Sequence, residues 1–113
     1  MSVSTPWRRV NVKEAKLLLE RPNLKVFDLR DQASFAQGHI DGAQYLSNNN
    51  LEEVIRKTSR QDPVLIYCYH GNASQTGAKV FTDFGFQEVY DLVGGYESWR
   101  TGMVAAKPEL CTS

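Results

Sequence analysis

The stretch of this chain best equipped for chemistry is Cys68-Tyr69-His70-Gly71-Asn72-Ala73-Ser74, and its reactive atom is one sulfur. Before it, Val64-Leu65-Ile66-Tyr67, set off by Pro63, has the length and composition of a buried strand. From Ser74 onward the apolar residues fall at helical spacing. Cys68 therefore stands where a strand ends and a helix is about to begin. The residues between, Tyr69 to Ala73, include a central glycine and no aspartate, glutamate, lysine or arginine. Such a loop can curl its backbone N–H groups inward around the sulfur, and the first free N–H groups of the helix add partial positive charge. That environment favours the thiolate over the thiol, which makes Cys68 a candidate nucleophile. On this loop alone a plainer reading stays open, in which Cys68 is a small hydrophobe closing a buried strand.

The remaining elements must bring this loop to an accessible edge. Trp7-Arg8-Arg9-Val10 reads as a short edge strand, followed by Asn11 as a helix N-cap with Glu14 three residues on. That helix is expected to run to about Glu20, with Val12, Ala15, Leu18 and Leu19 on one face. Leu24 to Leu29 reads as a buried strand that delivers Asp28 and Arg30 near its carboxyl end, and a helical turn from about Gln32 to Ala36 follows. A brief strand is expected around Gln44 to Leu46, then a helix from Leu51 to about Lys57 behind the capping residues Ser47-Asn48-Asn49-Asn50. Beyond the cysteine loop, Ser74 is placed to cap a helix running to about Phe84, with Gly85 stopping it. Val89-Tyr90 anchors the last strand, Gly94-Gly95 breaks it, and Tyr96 to Thr101 forms a final helix carrying Trp99. Strands alternating with helices in this way imply an α/β fold with a parallel sheet covered on both faces. In such sheets the ligand crevice lies outside the carboxyl ends of the strands, the edge to which Arg30 and Cys68 are both assigned.

A length of 113 residues suits one domain, with a core over about 8–101 and a tail over 107–113. Thirteen basic residues balance thirteen acidic ones, so no electrostatic drive toward nucleic acid is expected. No apolar run approaches membrane length, and Met1-Ser2-Val3-Ser4-Thr5-Pro6 lacks the pattern of a secretory signal. A cytoplasmic protein without a membrane partner is the expectation. In a reducing compartment Cys68 and Cys111 are not expected to form a structural disulfide. Cys111 reads either as a tail thiol that resolves an intermediate on Cys68 or as a tail residue without a role.

Four segments stand in order: Val26-Phe27-Asp28-Leu29-Arg30, Phe35-Ala36-Gln37-Gly38-His39-Ile40-Asp41-Gly42-Ala43, the Cys68 loop, and Gly94-Gly95-Tyr96-Glu97-Ser98-Trp99. Together they resemble the rhodanese family over nearly the whole chain, from about Val10 to Trp99. The loop itself looks most like that of the small single-domain thiosulfate sulfurtransferases of the GlpE type. The resemblance implies a five-stranded, mostly parallel sheet flanked by helices on both faces. It also implies a cysteine that carries sulfane sulfur as a persulfide, taking it from thiosulfate and passing it to cyanide or another thiol, including that of a thioredoxin-like protein. One position departs from the relatives: where they often carry a hydroxyl residue, this chain has Ala73.

For that chemistry Cys68 is the nucleophile, and the backbone N–H groups of Tyr69, His70, Gly71, Asn72, Ala73 and Ser74 form the substrate- and persulfide-binding ring. Charge-assisted contacts of this kind are worth about 1.5–3 kcal/mol each, so no metal or organic cofactor is expected. The same sulfur serves donor and acceptor in turn, which predicts double-displacement kinetics. Gly71 is the loop position freest to take positive φ. His70 either adds positive charge near an anionic donor or sits on the surface. Arg30 either attracts thiosulfate to the mouth or pairs with a carboxylate. Asp28 and His39 read as scaffold, and Tyr96 and Trp99 as core or pocket wall. Two rivals are weighed against this reading. A phosphatase or arsenate reductase would use a related cradle, but typically with an arginine six residues after the cysteine, where this chain has Ser74. A non-enzymatic, partner-dedicated sulfur-relay or binding module would keep the fold without free turnover.

Overall fold

Strand β4, Val64–Tyr67, is buried at every position because it lies in the middle of the sheet with both of its faces covered. In the computed structural model, which describes residues 7–102, five strands lie in the order β1-β5-β4-β2-β3 and every pairing is parallel. The other strands are β1, Arg8–Val10, β2, Lys25–Asp28, β3, Ala43–Tyr45, and β5, Val89–Leu92. Each parallel step requires a crossover, supplied by α1, Val12–Leu18, α2, Gln32–Gln37, α3, Leu51–Lys57, and α4, Ala73–Asp83. A last helix, α5, Gly95–Gly102, follows β5.

Period-two alternation divides the core in two. Leu65 and Tyr67 of β4 join Val10, Val26, Tyr90 and Leu92 on one face, where α1 adds Ala15 and Leu18, and α5 adds Tyr96 and Trp99. Val64 and Ile66 point to the other face and pack with Phe27, Val89, Ile55 of α3, and Ala78 and Phe81 of α4. The helix after β2 contributes Phe35 to the first face, whereas the helix after β4 packs on the second. The chain thus leaves β2 and β4 in opposite directions, and a crevice opens between their carboxyl ends.

Local sequence accounts for most boundaries. The Asn11 side chain accepts from the Glu14 N–H at 2.8 Å, and the Asn11 N–H donates to the Glu14 carboxylate at 2.9 Å, a complete capping box. Helix α1 stops at Leu18 rather than Glu20, since the chain tightens into a turn in which the Arg21 N–H donates to the Leu18 carbonyl. Helix α4 starts one residue before Ser74, with Asn72 in the N-cap position making no side-chain cap bond; the Ser74 hydroxyl is drawn elsewhere, and Gly85 at φ +94 ends the helix as expected. Cys111 and the 107–113 tail lie outside the described residues.

Candidate functional site: a sulfur held by two loop amides

Cys68 is the first residue beyond β4, and the loop folds back over it. The Gly71 and Ser74 N–H groups each donate to its Sγ at 3.2 Å. Gly71 reaches the sulfur by taking φ +93, a conformation that costs an L-residue about 1–2 kcal/mol and glycine almost nothing. Ser74 is already inside α4, so its N–H is one of the free donors at a helix start. Hydrogen bonds to sulfur from amide donors stabilise the anionic form more than the neutral one. The site is nearly closed, because Cys68 keeps only 4% of its surface accessible. Of the remaining loop residues, Tyr69, His70, Asn72 and Ala73 are exposed, and Ser74 is buried.

Two structural ties hold this loop from behind. The Tyr96 N–H donates to the Cys68 carbonyl at 2.7 Å, and the Glu97 N–H donates to the Tyr69 carbonyl at 3.1 Å, so the first turn of α5 clasps the backbone of the cysteine itself. Gly95 permits this approach, since a Cβ there would lie 2.4 Å from the Cys68 carbonyl oxygen. The second tie is Asp91 of β5, a carboxylate with no accessible surface. It accepts from Arg9 Nε at 3.0 Å and Nη2 at 3.0 Å, from Trp7 Nε1 at 3.0 Å and from Ser74 Oγ at 3.0 Å. Arg9 Nη2 also donates to the Gly71 carbonyl at 2.9 Å, as does Gln75 Nε2.

Trp7, Arg9 and Asp91 are site residues that the sequence reading passed over. A single carboxylate inside the apolar run Val89-Tyr90-Asp91-Leu92 was the available signal, because a charge in a buried strand needs a partner. Which strand would supply that partner depends on β1 pairing with β5, an association between the two ends of the chain.

Of the two roles the sequence offered Arg30, capture of an anionic donor or pairing with a carboxylate, the structure shows the second. Arg30 Nε donates to both Asp28 oxygens at 3.1 Å, and its Nη2 donates to Asp28 at 2.7 Å and to the Gly38 carbonyl at 2.6 Å. The guanidinium lies 4.0 Å from the Tyr96 ring centroid and is almost fully buried. Burial pulls its pKa down, but the hydrogen bonds and charge of Asp28 outweigh that and the balance is upward. The neighbouring Tyr67 hydroxyl, into which the Ile40 N–H donates at 3.1 Å, is pushed far above its usual range by burial, with Asp28 adding to the effect. It therefore stays protonated. His39 ties its Nδ1 to the Phe35 carbonyl at 2.7 Å and stacks on the Phe35 ring, well inside the scaffold role assigned to it.

A cleft of about 400 Å³ adjoins the loop, walled by Arg30, Gly38, Tyr69, His70, Tyr96 and Arg100 among others. Tyr69 crosses from the loop to α2, where its hydroxyl bonds Asp31 and lies 3.1 Å from Ser34 Oγ. The backbone N–H of Ser34, donating to Asp31, holds that carboxyl below its ordinary range. Ala73 faces a different, more apolar cleft of about 330 Å³ shared with Leu29, Leu46, Leu51 and Val80.

Residues 11–101 match the model of the rhodanese-like domain. The chain belongs to the rhodanese-like family. Among curated relatives it is 43% identical over 95 residues to the thiosulfate sulfurtransferase GlpE of Pseudomonas fluorescens, covering 84% of this chain and 86% of that one. It is 39% identical over 92 residues to the thiosulfate sulfurtransferase GlpE of Tolumonas auensis, covering 81% and 87%. Among solved structures, a rhodanese-related protein from Thermoplasma volcanium superposes with a TM-score of 0.73 at 22% identity, covering 84% of this chain and 92% of that one, a likeness of fold. The five-stranded parallel sheet expected of a rhodanese-like chain is the sheet observed. No helix among the described residues is long and apolar enough to cross a membrane.

Proposed function

We propose that this rhodanese-like chain is a thiosulfate sulfurtransferase that works through a persulfide on Cys68. The observation that carries the reading is the convergence of the Gly71 and Ser74 amides on the Cys68 sulfur, each at 3.2 Å. It is supported by relatives of that name at 39–43% identity over more than four-fifths of both chains. In the first half-reaction the Cys68 thiolate attacks the outer sulfur of thiosulfate. A new S–S bond forms, the bond between the outer sulfur and the sulfonate breaks, and sulfite leaves with the electron pair. In the second, cyanide or a thiolate attacks the terminal sulfur and Cys68 departs as a thiolate. Neither step needs a proton moved by a general base, which agrees with the surface position of His70. Amides directed at the Cys68 sulfur are suited to hold the anionic persulfide.

The narrow access to Cys68 favours a donor that presents its reactive sulfur at one end, as thiosulfate does. A single-domain chain acting in the cytoplasm, where its thiol stays reduced, and handing sulfur to a small thiol or a thioredoxin-like protein, completes the reading. Intact-protein mass after incubation with thiosulfate tests it. The chain is expected to gain one sulfur atom, lost again on addition of cyanide, and the Cys68→Ser chain is expected to gain none; a wild-type chain whose mass never changes refutes the proposal.

Because Ala73 is exposed and lines the apolar cleft away from Tyr69 and His70, a hydroxyl placed there adds at most one neutral hydrogen bond to the reaction. Ala73→Ser is expected to change kcat/KM for thiosulfate by less than about tenfold, without altering the products. Steady-state assay of thiocyanate formation reads the effect.

A further inference from the structure

We propose that Arg9 and Asp91 are positioning residues that fix the two amides meeting the Cys68 sulfur, one acting through Gly71 and the other through Ser74. The inference rests on the sulfur-transfer reading for its consequence, but its geometry stands apart from it. Arg9 Nη2 donates both to Asp91 Oδ2 at 3.0 Å and to the Gly71 carbonyl at 2.9 Å, so one nitrogen links the buried carboxylate to the residue whose N–H meets the sulfur. Ser74 Oγ donates to the same Oδ2 at 3.0 Å, and the Ser74 N–H is the second donor to the sulfur. Asp91 thus gathers the arms of both donors at one atom.

This arrangement exceeds what neutralising a buried carboxylate requires. Arg9 Nε alone contacts both Asp91 oxygens, at 3.0 and 3.3 Å, and Trp7 Nε1 adds a further donor. The additional reach of Nη2 to Gly71 serves the loop and not the ion pair. Gly71 needs such a hold because its φ of +93 leaves an unrestrained glycine free to turn its N–H away from the sulfur. The charged and titratable groups around the cradle include Arg9 and Asp91 from β1 and β5, His70 on the loop, the Arg30–Asp28 pair at the end of β2, and the Glu97–Arg100 pair of α5 on the adjoining cleft.

Two variants distinguish this role from plain structural support. Arg9→Lys keeps a positive charge for Asp91 but lacks the planar fork that spans Asp91 and Gly71 together. Ser74→Ala keeps the N–H that meets the sulfur and deletes the hydroxyl that fixes its direction. Three readouts are taken on the full chain: thermal denaturation, the ultraviolet thiolate band against pH with the Cys68→Ser chain subtracted to remove Cys111, and the rate of sulfur loading from thiosulfate. Both variants are expected to stay folded, to develop the Cys68 thiolate band at higher pH than wild type, and to load sulfur about tenfold more slowly, the loss of one hydrogen bond to an anion.

Folded variants whose band and loading rate coincide with wild type overturn the proposal, and recovery of both by Arg9→Lys overturns it for Arg9. Should Arg9→Lys not fold, Ser74→Ala decides alone. The thiolate band requires no turnover. A displaced band in the variants together with a wild-type chain that loads no sulfur would support the positioning role while refuting the sulfur-transfer reading.

Discussion

Replacing Cys68 by serine is expected to reduce thiosulfate-dependent thiocyanate formation by about 10³-fold or more, the scale seen when a covalent nucleophile is removed. A hydroxyl at this position neither ionises in the accessible pH range nor attacks a sulfane sulfur with the readiness of a thiolate. The fold is expected to survive. Serine is close to cysteine in size, and its oxygen can still accept from the Gly71 and Ser74 amides that now meet the sulfur. A melting temperature within about 5 °C of wild type, measured beside the activity, separates lost chemistry from lost structure. Cys111 remains in this variant, so turnover that persisted would move the nucleophile there and refute the role given to Cys68.

Gly95→Ala is expected to damage both stability and turnover through backbone contacts alone. A Cβ at this position would lie 2.4 Å from the Cys68 carbonyl oxygen and 2.5 Å from both the carbonyl carbon and oxygen of Tyr69, none of them the end of a flexible side chain. Relief requires α5 to withdraw, which loses the hydrogen bonds from Tyr96 to Cys68 and from Glu97 to Tyr69. Two such bonds, together with the left-handed conformation at φ +63, amount to about 3 kcal/mol or more. In a domain of this size that lowers the melting temperature by about 10 °C or more. Gly42→Ala supplies the control. Its φ is +84, yet an added Cβ has no heavy atom within 4 Å, so only the conformational cost of about 1–2 kcal/mol applies. Equal melting temperatures for the two variants would show that close packing against the cysteine backbone does not govern this site.

Much of this architecture is readable in the chain because it is locally encoded. Val64-Leu65-Ile66-Tyr67 after Pro63 reads as a short buried strand, and β4 has those limits. Asn11 and Glu14 form their capping box with each other, needing nothing from the rest of the molecule. Where a residue answers to a distant partner, local reasoning goes astray. Ser74 has the side chain of a helix cap, but Asp91, seventeen residues on, claims its hydroxyl, and α4 begins without a side-chain cap. Arg30 is the opposite case: of the two roles the sequence offered it, the carboxylate pairing is the one made, with Asp28 only two residues away.

Residue order alone specifies the alternation of strands and helices, the placing of a thiol at a strand's carboxyl end, and a loop able to point amides at it. All three follow from residue periodicity and backbone freedom over a few positions. Which amides meet the sulfur, and what holds them there, emerges from long-range packing. Arg9 and Asp91 are eighty-two residues apart, and they touch because β1 pairs with β5 at the far side of the sheet. Strand order of that kind is set by how helices on two faces share one core, a property of the whole packed chain that no short stretch of it contains.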